Sequence, residues 1–502
     1  MHGGRPSVVL AALRGGSGKT LLAVGLLARW RQRGKAVVPF KKGPDYIDAA
    51  WLGRASGMEC HHLDPFLMDG ERLLSSYLRH SFKGDGALIE GNRGLYDGVD
   101  PNGTYSTAEL AKSLRVPVIV LLDATKTTRT AAAMALGLRQ MDPDVEIRGI
   151  VLNRVAGARH ESVLVKSIER YAGLPVLGAI PRLKGLRFPE RHLGLVPPQE
   201  HGSHFDVIAR AAEAVGEHVD CESVWEVAQG AGELRCDDPP GEMASPGVTG
   251  RFRVGLIKDE VFHFYYPENL EALEGRGAEL VALSAIEAEG LPRVDALYVG
   301  GGFPEMRAEQ LAANDGLRRD IRLAVEDGLP VYAECGGLMY LGKALRVRGR
   351  EFPMVGALPL VTEIHSRPQG HGYTTLEVVE ENPFFSVGLA VKGHEFHYSR
   401  IASLSEEDVH FAFRVTRGTG MDGKREGMVR KNVLATYTHL HALGCDEWAD
   451  GISCQASNWG ERVPSELGGT GPSRGGSWRE KRADTMVKTQ GLRRNRRCLR
   501  LN

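Results

Sequence analysis

The sequence lacks an excess of either charge: 63 Lys and Arg stand against 63 Asp and Glu, a formal net charge of zero. Without a basic surplus there is no electrostatic case for nucleic acid or an acidic membrane surface as partner. No run of about 18 apolar residues occurs, which argues against a membrane-spanning helix. Residues Met1 to Pro6 lack the basic, then apolar, then small layout of a signal peptide, and an apolar run begins at Ser7. The 7 cysteines (Cys60, Cys221, Cys236, Cys335, Cys445, Cys454 and Cys498) are scattered, with no Cys-x-x-Cys pair. That disfavours a zinc ribbon or a disulfide framework and leads us to expect a reducing, cytoplasmic setting. Internal repeats are absent as well.

What remains is ordinary globular composition, 42% apolar and 25% charged over 502 residues. At roughly 150 residues per domain this length suits about three units or two large ones. From residue 7 to about 225, short apolar runs alternate with amphipathic stretches. Strands are predicted at Val8–Ala12, Ala36–Phe40, Ala87–Glu90, Val118–Asp123, Gly149–Asn153 and Val176–Ile180, with helices such as Thr20–Arg33 and Thr128–Gln140 between them. Such alternation predicts an α/β domain, a parallel sheet covered on both faces, over residues 1–225. Residues 226–250 turn to Gly, Pro, Asp and Ser and are expected to be a linker. A second α/β unit is expected over 251–454, with apolar runs at Arg253–Ile257, Ala296–Val299, Val331–Ala333 and Val433–Tyr437. Residues 455–502, rich in Gly, Ser and Arg, are expected to form a disordered basic tail.

Two segments carry chemistry. In the first, an apolar strand is followed by Leu13-Arg14-Gly15-Gly16-Ser17-Gly18-Lys19-Thr20, which opens a helix. In this context glycines let backbone N–H groups approach phosphate oxygens at the positive end of a helix. Lys19 would reach the β- and γ-phosphates of ATP and Thr20 would ligate Mg²⁺. The strict loop pattern has glycine where Leu13 stands. Glu90 ends an apolar strand at the edge where such sheets bind ligands, and Asp45 follows the preceding strand in a turn-like segment. Either acid alone reads as a solvated strand end; with the glycine loop they make a metal site. Lys41 and Lys42 are phosphate partners by the same reasoning, with one of the pair expected to face solvent.

The second segment, Val331-Tyr332-Ala333-Glu334-Cys335-Gly336-Gly337, reads strand, sharp turn, helix. A nucleophile on such a turn is exposed, the N–H of Gly336 can bind an oxyanion, and the helix start is expected to lower the thiol pKa. A lone cysteine is more often a small core residue, but the flanking glycines favour chemistry here. Another glycine turn at Gly300-Gly301-Gly302 suits an oxyanion loop, with Gly301 and Gly302 as donors to the same site. The base is expected to be His439, which ends a later apolar run; His441 is the alternative. His394-Glu395-Phe396-His397 suggests a metal site, but its spacing matches no standard zinc motif.

Together these segments resemble the cobyrinic acid a,c-diamide synthase family over nearly all of residues 7–445. The motifs are Gly15-Gly16-Ser17-Gly18-Lys19-Thr20, Lys42-Gly43-Pro44-Asp45-Tyr46-Ile47-Asp48, Gly94-Leu95-Tyr96-Asp97-Gly98 and Gly301-Gly302-Phe303-Pro304-Glu305. They continue as Ala333-Glu334-Cys335-Gly336-Gly337, Gly393-His394-Glu395-Phe396-His397-Tyr398-Ser399 and Thr436-Tyr437-Thr438-His439. The loop alone is weakly specific; its combination with Gly-Pro-Asp-Tyr-Ile-Asp and the cysteine segment is strongly so. The resemblance implies a dethiobiotin-synthetase-like P-loop domain fused to a class I glutamine amidotransferase domain. Cys335 would attack L-glutamine with His439 moving the proton. ATP with Mg²⁺ would phosphorylate a carboxylate of a tetrapyrrole, and ammonia would displace the phosphate.

It also implies a carbon–nitrogen ligase acting on the a and c acetates of cobyrinate, with Tyr46, Asp48, Arg93, Tyr96 and Asp97 near the substrate. No carboxylate follows two positions after His439, where the triad type usually has one. Glu90-Gly91-Asn92-Arg93 departs from the more apolar segment of corrin-specific members, so a sirohaem-type macrocycle is the alternative substrate. A ParA-like ATPase without amidation is the alternative activity. Small molecules are the expected partners, and a homodimer is compatible with the resemblance.

Overall fold

A computed structural model describes residues 5–183, 190–191, 194–195, 197–198, 204–234 and 251–462. The chain divides into two compact units, Met1–Gly241 and Glu242–Asn502.

The first unit is built on seven strands: β1 (Ser7–Ala12), β2 (Val37–Lys42), β3 (His61–Leu63), β4 (Gly86–Glu90), β5 (Val118–Asp123), β6 (Ile147–Val155) and β7 (Val176–Pro181). Their order across the sheet is β3-β2-β4-β1-β5-β6-β7, with every pairing parallel. The central strands are apolar almost throughout because both faces are covered; β1 and β2 are buried at each position. β3 escapes the sequence pattern, since His61-His62-Leu63 is three residues long and two-thirds polar.

Helix Lys19–Gln32 lies against helix His204–His218 so closely that a β-carbon on Gly25 would stand 2.3 Å from Val215 Cγ2 and 2.7 Å from the Ala211 carbonyl. The last helix of this unit, Cys221–Gln229, continues past residue 225 into the stretch expected to be linker. Val224, Trp225 and Ala228 are buried, and Trp225 meets Trp30 edge-on at 5.4 Å, so this turn belongs to the core. Residues 235–250 of the expected linker lie outside the described residues.

Among the described residues the main sheet of the second unit is ten-stranded and mixed, beside a four-stranded and a two-stranded sheet. Strands Ala278–Leu283, Phe252–Ile257, Ala296–Val299, Val331–Glu334 and Val433–Thr436 run parallel in that spatial order. Beyond them Arg425–Arg430, His410–Arg417, Gly370–Val378, Ala390–His397 and His439–Leu440 extend the sheet antiparallel. The sequence pattern marked few of these. Gly370–Val378, for example, mixes buried and part-exposed positions, as expected for strands with one wet face. Helix Asp446–Arg462 runs beyond residue 454 into the stretch expected to be tail. Trp448, Ala449, Ile452 and Ala456 recur at helical spacing and are buried, which ties this turn to the sheet. Residues 463–502 lie outside the described residues.

The contact at Gly25 gives a test. Gly25→Val would drive two methyl groups into Val215, and we expect about 1–3 kcal/mol of destabilisation, read as a lower denaturant midpoint for the first unit. An unchanged midpoint would contradict the packing of these two helices.

Candidate active site

In the first unit the ligand edge is the carboxyl end of the parallel strands. Residues after β1 reverse through Gly16 (φ 72°) and Gly18 (φ 100°) into helix Lys19–Gln32. Gly15 and Gly16 have open space where a side chain would be. Gly18 has none: a β-carbon would stand 2.4 Å from Asn153 Nδ2, which donates to the Ser17 carbonyl at 2.7 Å. Ser17 Oγ closes the turn by donating to the Arg14 carbonyl at 2.9 Å. Arg154 donates to the Gly16 carbonyl at 3.0 Å and pairs with Asp123 at 2.6 Å. Asn153, Arg154 and Asp123 were not singled out from the sequence, although they end β5 and β6 at the same edge as Glu90.

Behind the loop, Lys19 Nζ donates to the Arg93 carbonyl at 2.7 Å, and Thr20 Oγ1 donates to Glu90 Oε1 at 2.9 Å. Lys41 Nζ bridges Asp48 at 2.8 Å and Glu90 at 3.1 Å. Burial opposes the charge of Lys41, but Asp48 and then Glu90 outweigh it and hold its pKa high. Both lysines of the pair are buried, Lys41 at 2% and Lys42 at 5% exposed, which corrects the expectation that one faces solvent. Successive strand residues point to opposite faces, and here both faces are covered. Burial lowers the pKa of Lys19, with Lys41 adding to the effect; burial also lowers that of Lys42, against the pull of Asp64.

Asp45 caps helix Tyr46–Ser56, its Oδ1 accepting from Ile47 N and Asp48 N at 3.0 Å each. Glu90 is buried and its pKa is raised, first by desolvation. Its Oε2 accepts no hydrogen bond among the described residues. An unpartnered buried carboxylate oxygen, a neighbouring hydroxyl and the nearby carboxylate of Asp45 form a hard-oxygen donor set that fits Mg²⁺. Thr20 and Glu90 stand together for that role, with Asp45 close enough for its charge to be felt by Glu90's surroundings.

The residues expected at the substrate divide. Arg93 is exposed on a left-handed turn (φ 50°). Tyr46 is part-exposed at the start of its helix, 6.0 Å from the His62 ring. Asp48 is committed to Lys41. Tyr96 spends its hydroxyl on the Leu138 carbonyl at 2.6 Å, and Asp97 accepts from Gly94 N at 2.8 Å. These last two therefore shape the loop that carries Arg93.

In the second unit, strand Val331–Glu334 ends in Cys335 with φ 48° and ψ −98°, and helix Gly336–Leu341 follows at once. The strained turn is held by Cys335 N donating to the Thr436 carbonyl at 2.7 Å. The glycines around it have no room for side chains. A β-carbon on Gly302 would lie 1.8 Å from the Val261 carbonyl, and one on Gly336 would lie 2.9 Å from Gly302 N. One on Gly301 would lie 2.5 Å from His439 Cε1. The structure thus brings the Cys335 turn, Gly301, Gly302, Gly336 and His439 to one place. The thiol is 4% exposed, and burial, with Glu305 next, raises its pKa. The helix start was expected to lower it; the Gly336 N–H does act that way, but desolvation is larger.

His439 Nδ1 stands 3.3 Å from Glu334 Oε2, and its ring stacks on His394 at 4.9 Å. Glu334 also accepts from Leu440 N at 3.1 Å and from Tyr298 at 3.1 Å. Neither Glu334 nor Tyr298 was picked from the sequence, where both look like strand interior. His441, the alternative base, accepts from Leu443 N at 3.2 Å and faces Glu268 at 3.5 Å. In the suspected metal segment His394 meets Tyr266 at 3.1 Å, while His397 meets the Ser399 carbonyl at 2.7 Å and Glu395 at 3.6 Å.

A pH test follows for Asp45, whose pKa is pushed from 3.8 up to about 7, first by burial, then by Asp48, against Lys41. The folded unit then binds this proton more tightly than the unfolded chain does. Its contribution to stability is accordingly present at low pH and lost as pH rises from about 4 towards 7. Asp45→Asn keeps the capping oxygen and removes the titration. In metal-free protein the variant should gain denaturant midpoint relative to wild type across that window, and a pH-independent difference would contradict the placement.

Two family models match. The CobQ/CobB/MinD/ParA nucleotide binding domain matches residues 8–196, and the CobB/CobQ-like glutamine amidotransferase domain matches residues 253–446. The cobyrinate a,c-diamide synthase of Magnetococcus marinus is 43% identical over 460 residues, 91% of this chain and 98% of that protein. That of Archaeoglobus fulgidus is 41% identical, over 87% of this chain and 94% of its own length. The Listeria innocua protein of the same name is 36% identical, over 86% and 96%. Full-length similarity of this order, with both halves matched, places the chain in the cobyrinate a,c-diamide synthase family.

Proposed function

We propose that this protein is a ligase that converts the a and c acetate carboxylates of cobyrinate to amides, using ATP and L-glutamine. The observation that carries the reading is the coexistence of a phosphate loop backed by buried acids in one unit with a cysteine on a strained strand-to-helix turn in the other. The relatives' shared name supports cobyrinate as the macrocycle. A ParA-like ATPase would leave Cys335, the glycine turns and His439 without work.

A buried thiol with a raised pKa is a poor nucleophile until a base takes its proton. His439 accepts that proton as the Cys335 sulfur attacks the glutamine carboxamide carbon. The N–H groups of Gly336 and Gly302 are the donors available to the oxyanion. Collapse of the tetrahedral species breaks the C–N bond, His439 returns the proton to the nitrogen, and ammonia leaves. Water then cleaves the γ-glutamyl thioester to glutamate.

In the first unit a carboxylate oxygen of the macrocycle attacks the γ-phosphorus of ATP, expelling ADP and giving an acyl phosphate. Ammonia attacks the acyl carbon and phosphate departs. A carboxylate is too poor an electrophile for amidation without this step. Lys19 and Lys42 carry the phosphates, and the turn glycines admit them. Mg²⁺ at Thr20, Glu90 and Asp45 would neutralise charge developing on the transferred group. Arg93, exposed on its turn, suits a peripheral carboxylate of the substrate.

The test is mass loss on tetrapyrroles with ATP and glutamine, since each conversion of carboxylate to amide removes about one dalton. Two steps on cobyrinate are expected. Cys335→Ala should lose the glutamine-dependent reaction and keep the ammonia-dependent one, and Lys19→Ala should lose both by about a hundredfold or more. Two steps only on a sirohaem-type macrocycle would move the substrate. Amidation of none, with ATP turnover indifferent to glutamine, would refute the reading.

A further inference from the structure

We infer that Glu334, the residue directly before the nucleophile, is the carboxylate that positions His439, so that the strand carrying the cysteine also carries the partner of its base. The inference rests on the amidotransferase reading above.

Sheet register brings the two together. Strand Val331–Glu334 pairs in parallel with Val433–Thr436, Glu334 lying opposite Thr436. The chain then passes through Tyr437 and Thr438, and His439 arrives at the end of the Glu334 side chain. Glu334 is fully buried, a costly place for a carboxylate unless donors surround it. Three donors do. Oε1 accepts from Leu440 N at 3.1 Å, while Oε2 accepts from Tyr298 at 3.1 Å and faces His439 Nδ1 at 3.3 Å. Tyr298 is itself wholly buried on the adjoining strand, so its hydroxyl is fixed in place.

The other edge of the imidazole looks the opposite way. A β-carbon on Gly301 would fall 3.3 Å from His439 Nε2, and the Cys335 turn packs on the neighbouring Gly302. With its Nδ1 proton given to Glu334, His439 presents the Nε2 lone pair toward the glycine turns. Once His439 takes the thiol proton, the negative carboxylate stabilises the imidazolium. The position two residues after His439, where a carboxylate was missing from the sequence, holds His441, and that ring is turned to Leu443 N and Glu268. The titratable groups that meet the His439 ring include Glu334 and the stacked His394 at 4.9 Å, with Tyr266 behind His394 and Tyr298 reached through Glu334.

The test uses the full chain with Glu334→Gln, which preserves shape and an acceptor for Leu440 N but cannot carry the charge. Glutamine-dependent kcat should fall about a hundredfold or more, with KM for glutamine within about threefold. Amidation from free ammonia should match wild type. Tyr298→Phe should lower the same kcat about tenfold, again without touching the ammonia reaction.

A Gln variant with glutamine-dependent kcat within about threefold of wild type would overturn the inference. If that variant loses the ammonia reaction too, Tyr298→Phe decides: a selective loss supports the inference, and an unchanged glutamine reaction overturns it. A wild type that never uses glutamine would instead refute the amidotransferase reading itself.

Discussion

Backbone meets backbone at the cysteine turn with no space for a β-carbon between them. The Val261 carbonyl lies where a side chain on Gly302 would begin, and Gly302 N lies where one on Gly336 would begin. Because of that approach, the strand ending in Cys335 and the glycine turn after Tyr298 share one small volume. The nucleophile, the N–H groups beside it and the edge of His439 are consequently fixed by main chain, which has far fewer ways to relax than side chains do. The strain at Cys335 is held by the same constraint, through its N–H to Thr436. A similar closeness at Gly18 and Asn153 shapes the phosphate loop of the other unit.

The two units handle buried charge differently. Around the phosphate loop, Asp45, Asp48 and Glu90 face Lys41, and burial weakens the hold of Lys19 and Lys42 on their protons. Such a set is poorly balanced in isolation: burial pushes Asp45 and Glu90 up and Lys19 and Lys42 down, while the acids around Lys41 hold it high. Phosphates with a divalent cation supply both missing partners at once, so the imbalance is an argument for that substrate. Near Cys335 the opposite holds: Glu334 has a full set of donors, and the thiol stays protonated until a base acts.

Much of this was legible in the sequence for identifiable reasons. The glycine loop, Glu90 and the Cys335 turn each sit at the end of a continuous apolar run, and parallel sheets put their sites there. His439 was legible because it closes such a run. The antiparallel extension of the second sheet was not, because its half-wet strands alternate only loosely. Asn153 and Arg154 were missed since their work is to hold the loop, a role that has no short motif. Glu334 was missed for a different reason. One residue from the nucleophile it reads as strand interior, and only the register with Thr436 shows that it reaches His439. The helices ending at Gln229 and Arg462 overran their expected limits because buried Ala228 and Ala456 tie the extra turns to the core despite polar local composition.

The most direct test of the account is to look for the covalent intermediate on Cys335. Protein mixed with glutamine, quenched in acid and digested should yield the Cys335 peptide with the mass of one added glutamyl group, lost on treatment with hydroxylamine. Glutamine turned over to glutamate with no adduct on that peptide, or with an adduct on another cysteine, would contradict the assignment of the nucleophile.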